Sequence, residues 1–281
     1  MILVTGATGT VGRALVDQLH AIGAPLRAGT RRPADATFPE GVEVALVDFD
    51  KPDTLPAALE GVDRVFLLSG GPDGPTHDAR VAAAAAEAGV AHIVKLSALS
   101  SGDDTATDPI SGWHRAGEKA VRDSGVPWTF LRPTGFMANA AMWADTIRSH
   151  DTVYAPFGAG RTAVIDPRDI AAVATVVLTT PGHEGQAYPL TGPSPLSPGE
   201  EVEILGSVLG RSLSYVDVPP EVARKAMIDG YMPAEVADAV IALLATGLDA
   251  SSAAVHPYVE KLTGNAPRTF AQWVEEHRAA F

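Results

Sequence analysis

Three glycines spaced three residues apart lie near the N-terminus, in the segment Gly6-Ala7-Thr8-Gly9-Thr10-Val11-Gly12. An apolar run at residues 2–5 precedes this segment, and an amphipathic helical pattern over residues 11–22 follows it. A loop in that context directs free backbone N–H groups and the positive end of a helix dipole at a phosphate. We therefore predict that a pyrophosphate binds to Gly6, Thr8, Gly9, Thr10, Val11 and Gly12. The alternative is a purely structural turn between a strand and a helix.

The end of the second predicted strand distinguishes between the two common dinucleotides. An Asp or Glu is expected about twenty residues beyond the loop if the ribose 2′-hydroxyl of NAD is bound there. The sequence instead reads Gly29-Thr30-Arg31-Arg32. Guanidinium groups match a 2′-phosphate with charge-assisted, bidentate donors. We therefore predict NADP(H) as the cofactor, in contact with Thr30, Arg31 and Arg32; the alternative is that both arginines are simply solvated.

The carboxyl ends of the other predicted strands offer further cofactor contacts. Asp48 and Phe49 follow the third strand, where a carboxylate can accept the adenine amino group and a ring can cover the base. The adenosine side also receives Leu68, Ser69 and Gly70, which follow the fourth strand. On the nicotinamide side lie Ser97, after the fifth strand, and Pro133 and Thr134, after the sixth. We expect these residues to contact the cofactor, although each is also compatible with an ordinary turn.

In the first half of the sequence, short apolar runs alternate with helical patterns, as in parallel βαβ units, and these elements position the residues named above. Six strands are predicted at residues 2–5, 25–28, 42–47, 64–68, 92–96 and 128–132. We predict an α/β fold, a doubly wound and mostly parallel Rossmann sheet with a small, mainly helical C-terminal substrate lobe. The predicted NADP-binding domain spans residues 1–133. Residues 134–281 form the lobe, with sheet-completing or lobe-boundary strands at 186–190 and 213–218 and capping boxes at Ser197 and Thr269.

Composition narrows the classes of function. The chain has 281 residues, no cysteine and a net charge of -13. The absence of cysteine excludes disulfides and thiolate chemistry. The negative net charge disfavours nucleic acid and anionic membranes as partners. The eight histidines are scattered without metal-ligand spacing, so we expect no metal site. We see no signal peptide and no membrane span, and we therefore expect a cytoplasmic protein. The sequence does not determine an oligomeric state.

The chain resembles the NmrA-like branch of the atypical short-chain dehydrogenase/reductases over nearly its whole length. The matching motifs are Val4-Thr5-Gly6-Ala7-Thr8-Gly9-Thr10-Val11-Gly12, Gly29-Thr30-Arg31, Val94-Lys95-Leu96-Ser97-Ala98, Glu118-Lys119, Ser124-Gly125-Val126-Pro127-Trp128-Thr129, Leu131-Arg132-Pro133-Thr134-Gly135-Phe136 and Ile165-Asp166-Pro167-Arg168-Asp169-Ile170-Ala171. The resemblance implies NADP(H) at the carboxyl ends of the strands and a substrate cleft under a small C-terminal lobe. Members of this branch include reductases of quinones, enones and imines, and also redox sensors that bind the dinucleotide without reducing a substrate.

Typical short-chain dehydrogenases transfer a proton with a Tyr-x-x-x-Lys pair, which this chain lacks. No tyrosine lies four residues before a lysine, and the corresponding helix pairs His114 with Glu118 at that spacing. The two side chains are expected on one helical face, where the carboxylate orients the imidazole as a proton donor near neutral pH. We therefore name His114 as the candidate catalytic residue. The alternative is a structural histidine beside a solvated glutamate.

The predicted function is NADPH-dependent reduction of a small apolar substrate, namely a quinone, enone, carbonyl compound, imine or iminium. An acceptor that is already cationic, such as an iminium, or a doubly activated quinone needs little or no protein acid, so the missing tyrosine does not exclude a reductase. The predicted substrate contacts, each equally compatible with core packing, are Phe136, Met137, Trp143 and Tyr231. The alternative function is a non-catalytic NADP(H)-sensing regulatory protein that binds a protein partner.

Overall fold

The computed structural model describes residues 1–281, apart from the side chain of Ala250. The strands are β1 Ile2–Val4, β2 Leu26–Thr30, β3 Glu43–Leu46, β4 Arg64–Leu67, β5 His92–Leu96, β6 Trp128–Pro133, β7 Thr152–Ala155, β8 Gln186–Leu190 and β9 Ser214–Asp217. The α-helices are α1 Thr10–Ala21, α2 Leu55–Leu59, α3 Gly74–Glu87, α4 Pro109–Asp123, α5 Ala144–His150, α6 Pro167–Thr179, α7 Pro198–Leu209, α8 Pro220–Asp229, α9 Ala234–Ala245, α10 Tyr258–Thr263 and α11 Phe270–Glu276.

The main sheet has seven strands in the order β3-β2-β1-β4-β5-β6-β8, and every pairing in it is parallel. The prediction of a doubly wound Rossmann sheet is confirmed, and all six predicted strands are present. Strand order reverses between β1 and β4, which opens a crevice at their carboxyl ends. The phosphate loop follows β1 and the Ser69 loop follows β4, so both lie at this crevice.

The central strands β1, β4 and β5 are buried on both faces, which explains why they read as continuous apolar runs rather than alternating ones, whereas the edge strand β3 is mostly exposed. Successive side chains of one strand nevertheless enter different cores. Val4 and Phe66 pack with α1, α6 and α10 on one face. Leu3 and Val65 pack with α2 and α3 on the other. These two layers of helices hold the strand ends in a fixed arrangement around the crevice.

A third apolar core lies within the C-terminal region and is built from α5, β7, α7 and α11. The predicted strand at 186–190 completes the main sheet as β8 beside β6. The strand predicted at 213–218 forms as β9, but it pairs in parallel with β7 in a separate two-stranded sheet. Sequence periodicity had not indicated β7. Both predicted capping boxes are present, at the starts of α7 and α11.

Among the described residues, no single helix is long and apolar enough to span a membrane. One bent pair of helical segments, Ala234–Leu248 and Ser251–Thr263, passes that test by length and composition with an angle of 84° between them.

Candidate cofactor and catalytic site

The phosphate loop has a backbone that only glycine permits at two of its positions. Gly6 has a φ of 62°, in the left-handed region that disfavours other residues. A Cβ added to Gly12 would lie 2.1 Å from the carbonyl oxygen of Gly6. The first turn of α1 therefore packs directly on the turn that precedes it, as expected for a loop that brings a helix N-terminus close to a ligand.

The N-terminus of α1 leaves its first N–H groups available to an anion. Its N-cap residue, Gly9, provides no side-chain acceptor, and no acidic residue lies in the first turn. Thr8, Gly9 and Thr10 are exposed beside it. Val11 is only 2% exposed and packs in the core, so it can reach a phosphate only through its backbone N–H. This uncapped, uncharged turn fits a pyrophosphate.

The arginines after β2 are positioned for a further anionic group. The side chain of Arg32 is 82% exposed and lies 3.8 Å from Asp35, while Arg31 is exposed without a salt bridge in the described part of the chain. Thr30 is buried and its hydroxyl oxygen accepts the Arg32 N–H. Arg13, which sequence reasoning missed, reaches this loop from α1 by bonding the Thr37 carbonyl and lying 4.6 Å from the centre of the Phe38 ring.

Asp48 and Phe49 lie together at the end of β3. A carboxylate oxygen of Asp48 accepts the Asp50 N–H at 3.2 Å, and its other oxygen lies 3.5 Å from Lys51 Nζ. The ring of Phe49 lies 5.5 Å from that of His77 on α3. These contacts are with the same loop and with α3, and the contact of Asp48 and Phe49 with adenine stays a prediction.

The loop after β4 is anchored to a buried ion pair that sequence reasoning did not identify. Ser69 Oγ donates to Asp78 on α3 at 2.6 Å, and the second oxygen of Asp78 lies 2.7 Å from Lys95 Nζ on β5. Asp78 and Lys95 are 1% and 0% exposed. Lys95 could have been noticed as a lysine inside the predicted apolar strand at 92–96, because a buried lysine must be paired. Leu68 covers Gly6, and Gly70 is exposed beside the crevice.

Glu118 does not orient His114, and this corrects the sequence-based expectation. Its carboxylate accepts two hydrogen bonds from Arg132 on β6, at 2.8 and 2.6 Å. It also accepts the hydroxyls of Ser97 and Ser101, at 2.7 and 2.8 Å. Burial acts to raise the pKa of Glu118, but the bonds from Arg132 and the two serines outweigh it and hold that pKa below its usual range. Glu118 is thus a buried, charged anchor for the loop after β5, not a solvated residue.

Ser97 belongs to the same hydrogen-bond network around Glu118. It is 4% exposed and its hydroxyl is directed at Glu118. Any contact it makes with a cofactor at the nicotinamide side must therefore use its remaining lone pair or its backbone.

His114 lines a small cleft between the β4 loop and the start of α4. The other lining residues are Ser69, Gly70, Gly71, Gly74, Asp78 and Trp113. Burial, together with the positive charge of nearby Lys95, lowers the pKa of His114 to about 4. The imidazole is consequently neutral at neutral pH, which is not the state expected of a ready proton donor.

The residues predicted to line the substrate site have different environments. Pro133 is buried, and the hydroxyl of Thr134 bonds the Ala163 carbonyl at 2.6 Å. Phe136 and Trp143 are half-buried at the edges of two cores. Met137 is 2% exposed inside the C-terminal core, whereas Tyr231 is 96% exposed with a φ of 71°. Neither Met137 nor Tyr231 lines the cleft beside His114.

Comparison with known proteins agrees with this geometry. A family model described as NAD(P)H-binding matches residues 6–181. The chain is 45% identical to (4-alkanoyl-5-oxo-2,5-dihydrofuran-3-yl)methyl phosphate reductase of Streptomyces griseus, over 100% of this chain and 99% of the relative. It is 42% identical to an NAD(P)H azoreductase of Xenophilus azovorans, with the same coverage. The crystal structure of an Escherichia coli NADPH-dependent quinone oxidoreductase complexed with NADPH superimposes with a TM-score of 0.85 at 28% identity, covering 99% of this chain and 100% of the other.

Proposed function

This chain belongs to the NAD(P)H-binding, NmrA-like family of short-chain oxidoreductases, and we propose that it reduces a small conjugated carbonyl compound, such as an enone or a quinone, with NADPH. The predictions of a nicotinamide dinucleotide cofactor and of oxidoreductase activity are confirmed by the family. The substrate class and the preference for NADPH form the proposal.

The observation that carries the proposal is the chemistry of the cleft beside α4. The carboxylate that lines this cleft, Asp78, is already paired with Lys95, and Glu118 of α4, which does not line it, is paired with Arg132. The imidazole of His114 is neutral. A general acid contributes roughly 10²–10⁴-fold to a proton transfer, and a cleft without a strong acid suits acceptors that do not need one. Conjugated carbonyl compounds meet this condition, because their own π-system accommodates the electron pair that arrives with the hydride.

The bound nicotinamide would supply the hydride, and the chain would orient the substrate beside it and exclude water. The first turn of α1 would hold the pyrophosphate through the backbone N–H groups of Thr10, Val11 and Gly12. The loops after β5 and β6 would hold the nicotinamide end. Their geometry is maintained by the Glu118 network, which ties α4, β6 and the Ser97 loop together.

Two of the three relatives support the same substrate class. One is named for a methyl phosphate ester that carries oxo and alkanoyl groups on a dihydrofuran ring, and the E. coli structure is a quinone oxidoreductase. The third is named an azoreductase. A preference for NADPH is supported by Arg31 and Arg32, which stand where NAD-dependent enzymes place a carboxylate.

The test measures NADPH oxidation by the purified chain against a quinone, an alkanoyl dihydrofuranone, an azo dye and a saturated ketone. We expect kcat/KM for the quinone or the dihydrofuranone to exceed that for the ketone by at least about a hundredfold, because only the ketone needs a protein acid. Equal rates for all carbonyl compounds would contradict the proposed substrate class. Tight NADPH binding with no turnover of any substrate would instead favour a redox sensor.

A further inference from the structure

We propose that His114 is a catalytic residue that acts as a neutral hydrogen-bond donor to the substrate oxygen, while the proton that this oxygen finally gains comes from water. This inference rests on the proposed reduction of a conjugated carbonyl compound. It differs from the sequence-based expectation, in which the imidazole itself delivers the proton.

The position of His114 supports contact with a ligand. Its ring lies in the wall of the cleft between the β4 loop and α4, beside Trp113 and Gly70. Within the described residues, no side-chain hydrogen bond engages the imidazole. Its ring nitrogens are therefore free to bond a molecule in the cleft, unlike the hydroxyl of Ser69 and the carboxylate of Glu118, which are already engaged.

The charges around His114 favour the neutral ring. Gly117 lies one helical turn after His114 on α4. A Cβ added to Gly117 would lie 3.1 Å from Cε of Lys95, so the Lys95 side chain from β5 runs close to this part of the helix. Of the carboxylates that could stabilise an imidazolium, Asp78 on α3 is paired with Lys95 and Glu118 is paired with Arg132. The third, Asp108, caps α4 by accepting the N–H of Ser111 at 2.9 Å.

Burial therefore dominates, and with Lys95 it lowers the pKa of His114 to about 4. A neutral imidazole keeps one N–H, which can donate a hydrogen bond to an oxygen that becomes negative. It is a poor acid, so it stabilises charge without giving up its proton, and such a donor is worth about 10²–10³ in kcat.

The balanced step involves the substrate, the dinucleotide and one water molecule. A C–H bond forms at the β-carbon of the enone while the C–H bond at C4 of the reduced nicotinamide breaks, so the substrate is reduced and NADPH is oxidised. The electron pair moves through the π-system to the carbonyl oxygen, which accepts the His114 hydrogen bond. Water then supplies the proton and leaves hydroxide to the buffer.

The first test separates a neutral donor from an acid by substitution. Gln and Asn side chains carry an N–H but cannot act as acids, and they approximate the Nε2 and Nδ1 positions respectively. We expect His114→Gln or His114→Asn to keep kcat within about tenfold of the original, whereas His114→Leu loses about 10²–10³. The dissociation constant for NADPH should be the same in all three variants. His150→Gln, at an exposed position on α5, is the matched control and should be fully active.

The second test needs no turnover. Histidine ring signals in the NMR spectrum of the labelled protein, assigned by comparison with His114→Gln, should show His114 neutral throughout the range from about pH 5 to 8. The profile of kcat/KM should contain no ionisation from His114 in that range. Titration of His114 near pH 6.5 with activity lost as the pH rises, or equal loss in the Gln, Asn and Leu variants, would overturn the inference. Absence of turnover with every acceptor would refute the proposed function instead, and the NMR titration would still decide whether the imidazole is neutral.

Discussion

Gly117→Ala is the substitution for which the structure makes the sharpest prediction. Gly117 lies in the interior of α4, where the helix packs against α3 and the side chain of Lys95 from β5 approaches it. A Cβ at this position would lie 2.0 Å from the Asp78 carboxylate oxygen that bonds Lys95, and 3.1 Å from both Asp78 Cγ and Lys95 Cε. The added methyl group can fit only if the carboxylate moves away from the ammonium group.

The expected cost follows from two opposing effects. Separating one partner of a buried ion pair destabilises a protein by about 3–5 kcal/mol. Replacing glycine by alanine inside a helix contributes about 1 kcal/mol in the opposite direction. We therefore expect Gly117→Ala to lower the free energy of unfolding by about 2–4 kcal/mol.

Gly112→Ala is the matched control on the same helix. Beyond its chain neighbours and the backbone of its own helix, no atom of the described residues lies within 4 Å of its Cβ position, and the residue is exposed. This substitution should raise the free energy of unfolding by about 0.5–1 kcal/mol. The assay is urea unfolding followed by circular dichroism, with the midpoint and slope compared between variants.

A double variant without the Asp78–Lys95 ion pair tests whether the collision with that pair causes the loss of stability. With Lys95→Met and Asp78→Ala combined, the buried charges and the colliding carboxylate are both absent. Gly117→Ala should then be neutral or stabilising by about 1 kcal/mol. Wild-type stability of the single Gly117→Ala variant, or the same loss in the charge-free background, would refute the reasoning.

Three further predictions concern the cofactor and the pH dependence of stability. Gly12→Ala should abolish NAD(P)H binding in a dye-displacement assay, because its Cβ would lie 2.1 Å from the Gly6 carbonyl oxygen; binding retained within tenfold would contradict the loop assignment. Arg31→Ala should weaken NADPH binding by about 1.5–3 kcal/mol while leaving NADH unchanged, as measured by calorimetry, and an unaltered NADPH/NADH ratio would show that this arginine is only solvated. Burial lowers the pKa of His92 from 6.5 to about 4, so its imidazole is protonated in the unfolded chain first, and about 3 kcal/mol of unfolding free energy should be lost as the pH falls between those values. His92→Asn should flatten that part of the stability profile, and an unchanged slope would contradict the assignment.

The sheet and the phosphate loop could be predicted from short segments of the sequence. Strand positions follow from apolar runs bounded by turn residues, and these signals lie within a few neighbouring residues. The glycine spacing of the loop is an equally local signal. Glycine is needed where a side chain would collide with residues nearby in the chain, as at Gly12, which packs against Gly6. The capping boxes at Ser197 and Thr269 could be predicted for the same reason.

The pairing of the polar groups, in contrast, depends on how the helices pack on the sheet. Glu118 is four residues from His114, but besides Arg122 on its own helix its partners are Arg132, Ser97 and Ser101, which come from other elements. Asp78 and Lys95 likewise meet only because α3 packs against β5. Helical spacing predicts which side chains share a face, yet a buried charge takes the partner that best compensates its loss of water. That partner is brought near by the packing of helices on the sheet, so the neutrality of His114 and the chemistry of its cleft are properties of the fold and not of any one segment.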